Sequence, residues 1–315
     1  MTSLADWLAA QPIDQKLAAV VASMAAASAE IAAVLREAPI AGQTGLAGQT
    51  NVQGEAQKAL DVISNDIVLG HLKANAEVSI LVSEELDEAV HLNPGGAFLV
   101  ATDPLDGSSN LDVNVTVGTI FSVLDAGKGL LQPGTAQLAA GYAAYGPATS
   151  LVLTFGTAVV VFTLDGSGTF VLTQDDVTVP AASGEYAINT ARERFWDAAT
   201  RQYVAENVAG ETGPAGKRYN MRWVGSMVAD IHRILQRGGI FLYPLDSETA
   251  GKGGRLRLLY EANPMAMIVE AAGGRSTTGR QRILDLVPDA IHQRVPVILG
   301  SADEVARVDT WYARE

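Results

Sequence analysis

The sequence predicts an α/β protein of layered α+β type, with mixed and largely antiparallel sheets lying between helices. Apolar residues recur at helical spacing near the start of the 315-residue chain, a 3.6-residue period that buries one helix face. The middle third breaks into short apolar runs bounded by Gly, Pro and Asp, as buried strands are. After Pro180 the two patterns alternate.

In chain order, Asp14 to Leu35 places Leu17, Val20, Val21, Met24, Ile31, Val34 and Leu35 on one helical face, with Asp14 as N-cap. Ala41 to Thr50 is rich in Gly, Gln and Thr and has no period, so a surface loop is expected, one that could order as a lid over a ligand. A second helix is expected from about Gly54 to Ala74, facing inward through Leu60, Ile63, Ile67 and Leu69. Strands follow at Val78 to Val82, Ala97 to Ala101, Thr119 to Leu124, Ala139 to Tyr145, Leu151 to Phe155, Thr157 to Leu164 and Thr169 to Thr173. Helices at about Glu193 to Val208 and Gly225 to Arg237 then alternate with strands at Gly239 to Leu242, Leu256 to Tyr260 and Val295 to Leu299. A last helix starts at Val305. Length predicts roughly two domains at about 150 residues each, divided as 1–185 and 186–315.

Composition narrows the function. With 48% apolar residues and no cysteine, the chain has material for large cores, and disulfides, thiolate-bound zinc and a cysteine nucleophile are excluded. A net charge of −13 repels a phosphate backbone, so nucleic acid is not an expected partner. The N-terminus lacks the basic start of a secretory signal, and apolar stretches such as Ala18 to Ala29 are alanine-rich and short of a membrane span. A cytoplasmic protein without membrane contact is therefore expected.

Carboxylates stand at strand ends, where α/β sheets bind ligands. Glu84 and Glu85 follow one strand, Asp103 and Asp106 follow the next, Glu261 follows a third, and Asp61 lies on the second helix. Asp-Pro and Asp-Gly are also ordinary turn formers, but the succession of strand ends favours convergence. Two carboxylates about 4 Å apart repel by about 4 kcal/mol at an effective dielectric near 20, so a converged set needs cations. All-oxygen ligands suit Mg²⁺ or Mn²⁺. Pro104 stiffens the segment so that both aspartates can face an ion pair, with the Leu105 carbonyl as a further ligand. Gly107, Ser108 and Ser109 follow, offering amides that can cradle a phosphate. Metal-assisted phosphoryl hydrolysis is the predicted chemistry. No histidine stands near Ser108 in sequence, which weighs against a serine nucleophile.

Five segments resemble the class I fructose-1,6-bisphosphatases: Val82 to Glu85, Asp103 to Asn110, Gly118 to Phe121, Gly225 to Asp230 and Leu256 to Met265. The resemblance implies two stacked α/β domains of the sugar phosphatase fold. It also implies a homotetramer and Mg²⁺-dependent removal of the 1-phosphate from fructose 1,6-bisphosphate, in gluconeogenesis or the reductive pentose phosphate pathway. By the same matching, Glu84, Asp103, Asp106, Glu261 and the Leu105 carbonyl hold two or more metals. Glu85 and Asp61 orient or deprotonate the attacking water, as Glu84 helps to do, and Glu55 supports the metal side. Gly107, Ser108 and Ser109 hold the reacting phosphate. Asn189 and Tyr243 meet the far phosphate together with Arg222 from a neighbouring subunit, and Arg255 binds substrate where the family has a sugar-binding lysine.

Departures from the family pattern stand at Trp223, Arg255 and Arg192, which admits sedoheptulose 1,7-bisphosphate as an alternative substrate. At the family's inhibitor positions the chain carries Ala97, Phe98 and Asp125, and weak or absent AMP inhibition is expected. An inositol-monophosphatase-like enzyme and a non-catalytic sugar-phosphate sensor are the competing readings. Asp61, Glu84 and Glu85 oppose the second of these, since they retain a means of activating water.

Overall fold

The computed structural model describes residues 1–43, 46–50 and 56–314. Its helices are α1 (Leu4–Ala10), α2 (Gln15–Ala41), α3 (Ala59–Lys73), α4 (Ala198–Ala209), α5 (Met227–Arg237), α6 (Asn263–Ala271) and α7 (Ala302–Tyr312). A small hairpin pairs β1 (Leu46–Thr50) with β2 (Ala56–Lys58). The large sheet uses β3 (Val78–Ser83), β4 (Val90–His91), β5 (Phe98–Asp106), β6 (Val117–Asp125), β7 (Ala139–Tyr145), β8 (Thr149–Thr154), β9 (Val159–Leu164) and β10 (Phe170–Gln174). The later strands are β11 (Glu185–Ala187), β12 (Asn220–Met221), β13 (Ile240–Tyr243), β14 (Leu256–Arg257), β15 (Arg275–Thr277), β16 (Arg294–Val295) and β17 (Val297–Gly300).

The large sheet runs in the order β10-β9-β8-β7-β6-β5-β3-β4. All its pairings are antiparallel except β3 with β5. A second sheet has the order β12-β11-β13-β17-β15, and β14 pairs with β16 beside it. Side chains alternate between the faces of a strand, so each sheet can feed two cores. Val100, Phe121, Val123 and Leu151 pack with Val20, Met24, Ile31, Leu60 and Val68 of the N-terminal helices. From the opposite face Ile120, Tyr142 and Val152 meet Ile231 and Ile234 of α5 and Met265 and Ile268 of α6. Phe241 and Leu299 join that same core, while their neighbours Ile240, Leu242 and Ile298 pack against Tyr203, Val305 and Val308 of α4 and α7. The layers therefore read helices, sheet, helices, sheet, helices.

Several sequence expectations shift. The second helix begins at Ala59 because Ala56–Lys58 pairs with Leu46–Thr50, so part of the expected loop is a strand. The expected helix from Glu193 is a 3-10 turn, Thr190–Phe195, and α4 starts after Asp197, whose side chain accepts from Thr200 N as an N-cap. The strand expected to reach Tyr260 stops at Arg257 and passes into a π-helical turn, Leu258–Ala262, continuous with α6. Pro264 is the second residue of α6, just past the π-helical turn. Pro296 divides the expected strand 295–299 into two.

α2 also differs in extent from its expectation. Its 27 residues are long and apolar enough to cross a membrane by length and composition alone. Its apolar face is spent on the core, where Val20, Val21, Met24 and Ile31 are fully buried.

Candidate active site

The five layers bring Asp61, Glu84, Glu85, Asp103, Leu105, Asp106, Gly107, Ser108, Ser109, Asn189, Tyr243, Arg255 and Glu261 to one cavity of about 460 Å³. These are all of the predicted site residues but Arg222 and Glu55. Glu55 lies outside the described residues. Arg222 is exposed, 3.7 Å from Glu185, and does not line the cavity of its own chain.

One end of the cavity is acidic and buried. Ligand oxygens of Asp103, Asp106 and Glu261 lie within 4.8 Å of one another. Each carboxylate is fixed by donors from the fold. Asp103 Oδ1 accepts from Leu105 N at 2.9 Å, and Asp106 Oδ2 accepts from Ser226 Oγ at 2.8 Å and Val228 N at 2.9 Å. Glu261 Oε2 accepts from Arg257 N at 2.6 Å. Asp61, in the first turn of α3, accepts from Lys58 N at 2.7 Å.

Burial and mutual repulsion penalise the charged forms. Burial, opposed by the bonds from Val228 and Ser226, leaves the Asp106 carboxyl at about 6. Burial raises Glu261 to about 8 despite the nearby Arg257. It also lifts Asp103 well above the usual carboxylate range, with Glu84, Asp106 and Glu261 adding to the rise. Such a set of hard oxygen donors, unable to ionise together without compensation, fits divalent cations.

Beside the carboxylates the chain turns sharply. Gly107 has φ 77°, and a Cβ there would sit 2.6 Å from Ser226 Cβ, so the left-handed conformation and the close approach both require glycine. A 3-10 turn, Ser108–Val113, follows. Its first internal bond is Asn110 N to Gly107 O, which leaves the Ser108 and Ser109 amides ahead of the ladder. The Asn110 amide nitrogen, Nδ2, is buried there without a partner among the described residues. Three donors of this kind suit an anion.

The opposite end is aromatic and cationic. Trp223 stacks on Phe241 with ring centroids 5.8 Å apart, and Tyr243 closes the group at 5.6 Å from Trp223. The Arg255 guanidinium lies 5.7 Å from the centre of the Tyr243 ring. Asn189 caps the 3-10 turn after β11 through a bond from Ala191 N. Arg192 is directed elsewhere, held by Asp246 at 2.6 Å and Glu248 at 3.0 Å, and does not line the cavity.

Two residues escaped the sequence reading. Arg257 is buried between the acids, 2.6 Å from Glu84 Oε1 and 3.8 Å from Glu261 Oε2. A cation inside the apolar run Leu256 to Leu259 was the available signal, because a buried charge needs a partner. Ser226 both caps α5 and bonds Asp106, and a serine just before a helical pattern was its signal. None of the four histidines lines the cavity. His71, His232 and His292 instead meet Glu30, Tyr142 and Tyr260.

Comparison with known proteins agrees with this geometry. The family described as "Fructose-1-6-bisphosphatase, N-terminal domain" matches residues 7–175, and the corresponding C-terminal domain family matches residues 179–313. A curated relative, the class 1 fructose-1,6-bisphosphatase of Hydrogenovibrio crunogenus, is 50% identical over the full length of both chains. The chain belongs to the class 1 fructose-1,6-bisphosphatase family. Among solved members, Leishmania major fructose-1,6-bisphosphatase in its holo form superposes with a TM-score of 0.94 at 37% identity, covering 99% of each chain. Family membership therefore rests on both domains, and the layered α/β fold is that of the family.

Proposed function

We propose that this cavity hydrolyses the 1-phosphate of fructose 1,6-bisphosphate to fructose 6-phosphate and phosphate. The observation that carries the proposal is the convergence of Asp103, Asp106 and Glu261 beside the open amides of Ser108 and Ser109. Glu84, Asp103, Asp106, Glu261 and the Leu105 carbonyl would hold Mg²⁺ or Mn²⁺, which supplies Lewis acidity toward phosphate oxygens and lowers the pKa of a water nucleophile. Glu85 and Asp61 line the same wall and would orient that water and take its proton. The amides of Ser108 and Ser109 would hold the equatorial oxygens of the reacting phosphate.

The far end favours a bisphosphate over an inositol monophosphate. Arg255, Asn189 and Tyr243 offer one guanidinium fork and two polar groups to a second phosphate. We further assign Arg222 to the same subsite of a neighbouring subunit in a homotetramer, since it is exposed and does not line the cavity of its own chain. Relative turnover of fructose and sedoheptulose bisphosphates measures how far the Trp223 wall restricts the sugar.

AMP is expected to inhibit weakly or not at all. Phe98 is buried in the core and lies opposite Asp125 across β5 and β6, and the Asp125 carboxylate accepts from Gly127 N. An acidic group at that position repels a nucleotide phosphate. We place the reaction in gluconeogenesis or the reductive pentose phosphate pathway and the protein in the cytoplasm.

The test is phosphate release from fructose 1,6-bisphosphate with and without Mg²⁺. Turnover should require the metal and fall by about 10²-fold or more in Asp103→Ala, the scale on which removal of a transition-state charge stabiliser is felt. Unchanged turnover in that variant would exclude the assignment, and tight binding of the bisphosphate without hydrolysis would favour a sensor.

A further inference from the structure

The strand that carries the two aspartates is not a regular ladder. Across the β5–β6 pair Asp103 faces Ile120 and Asp106 faces Gly118. Pro104 and Leu105 together therefore face the single residue Thr119, the two-against-one count of a β-bulge. Proline has no amide to donate, and the Leu105 amide turns back to Asp103 Oδ1. The Pro104 carbonyl is taken by a side chain, accepting from Thr119 Oγ1 at 2.8 Å.

Thr119 has a buried neighbour of its own. Its hydroxyl lies 2.7 Å from Tyr145 Oη. A carbonyl can only accept, so the single Thr119 proton goes to Pro104 and Tyr145 must donate to Thr119. Thr119 is fully buried and Tyr145 is 9% exposed, so water does not substitute for either group. Ser28 of α2 is a further polar neighbour of Tyr145.

We infer that Thr119, oriented by Tyr145, is a positioning residue for metal binding. Its hydroxyl replaces the ladder bond that the bulge breaks and fixes the Pro104 carbonyl. It thereby sets the aim of the Leu105 carbonyl and of the aspartates on either side. The inference rests on the metal reading given under Proposed function. Outer groups that orient metal ligands typically change metal affinity by about 10- to 100-fold when removed.

The experiment measures Mn²⁺ binding to the full chain without substrate, by electron paramagnetic resonance, alongside the Mn²⁺ dependence of turnover. Thr119→Val keeps the shape and loses the hydroxyl. It should weaken Mn²⁺ about tenfold and raise the metal concentration for half-maximal rate to match, while kcat at saturating metal moves much less. Thr119→Ser should restore affinity, and Tyr145→Phe should fall between. Wild-type Mn²⁺ affinity in Thr119→Val overturns the inference, as does a Thr119→Ser variant as weak as Thr119→Val, since packing rather than hydrogen bonding would then be responsible. If Thr119→Val does not fold, Tyr145→Phe decides: weakened Mn²⁺ binding supports the inference and unchanged binding overturns it. A wild-type chain that binds no Mn²⁺ overturns the metal reading itself, and the inference with it.

Discussion

The two ends of the cavity are built on opposite principles. The acidic end gathers buried carboxylates, held by backbone amides, the Ser226 hydroxyl and the Arg257 guanidinium, and draws all but Glu261 from the first 185 residues. The far end is an aromatic surface with one exposed arginine and comes wholly from residues beyond 186. The chain's charge divides in the same way, with 5 basic and 20 acidic side chains in residues 1–185 and 17 and 15 in residues 186–315. Groups that must gather metal against their own repulsion need an immobile frame. Groups that hold a phosphate remote from the reaction need reach and charge, and tolerate exposure.

Substitutions can separate the two ends. The largest effect is expected at the acidic end, where Asp103→Ala should remove turnover while leaving the far subsite able to bind a sugar phosphate. Comparable loss of fructose 6-phosphate affinity, measured calorimetrically, would dissolve the contrast. Next comes Arg257→Met. It leaves Glu84 and Glu261 without their buried cation, a change that typically costs about 3–5 kcal/mol. A large drop in melting temperature of the metal-free protein is expected, partly recovered by Mg²⁺ because a ligand of the folded state stabilises it.

The same end should make stability depend on pH. Asp103, Asp106 and Glu261 all have raised folded-state pKa values, Asp106 at about 6 and Glu261 at about 8. The folded state therefore holds more protons than the unfolded chain between about pH 4 and 8, and stability falls as pH rises through that window. Thermal scans of metal-free protein should show a lower melting temperature at pH 8 than at pH 5, with the difference shrinking when Mg²⁺ is added. A flat profile would mean that the carboxylates are further apart in solution.

The smallest effect is expected at the far end. Arg255→Ala removes one charge-assisted contact, so KM for fructose 1,6-bisphosphate should rise about tenfold with kcat less affected. A kcat loss as large as that of Asp103→Ala would instead place Arg255 among the reacting groups.

The aspartates, the phosphate turn and most strands were legible because their signals are local: Asp103 to Ser109 is a single run, and strand periods need only five or six residues. What depended on distant pairing was not. The start of α3 moved because residues ten or so positions earlier pair with its lead-in, and α1 is too short and alanine-rich to show a period. Arg257 acquires its meaning only from Glu84, far away in the chain and adjacent in space. Thr119 reads as an ordinary strand residue until Pro104 is placed opposite it. The π-helical turn bearing Glu261 had no local marker beyond the proline that follows.

The hydroxyl of Ser226 serves two structures at once, beginning α5 and grasping Asp106. The amide of Val228 in the same turn also points to that carboxylate. Loading the carboxylates with cation should thus tie down the first turn of a helix from the other half of the chain. Backbone amides at Val228 and Ala229 should then exchange with deuterium more slowly in Mg²⁺ than in chelator, a signal of communication between the halves that requires no substrate.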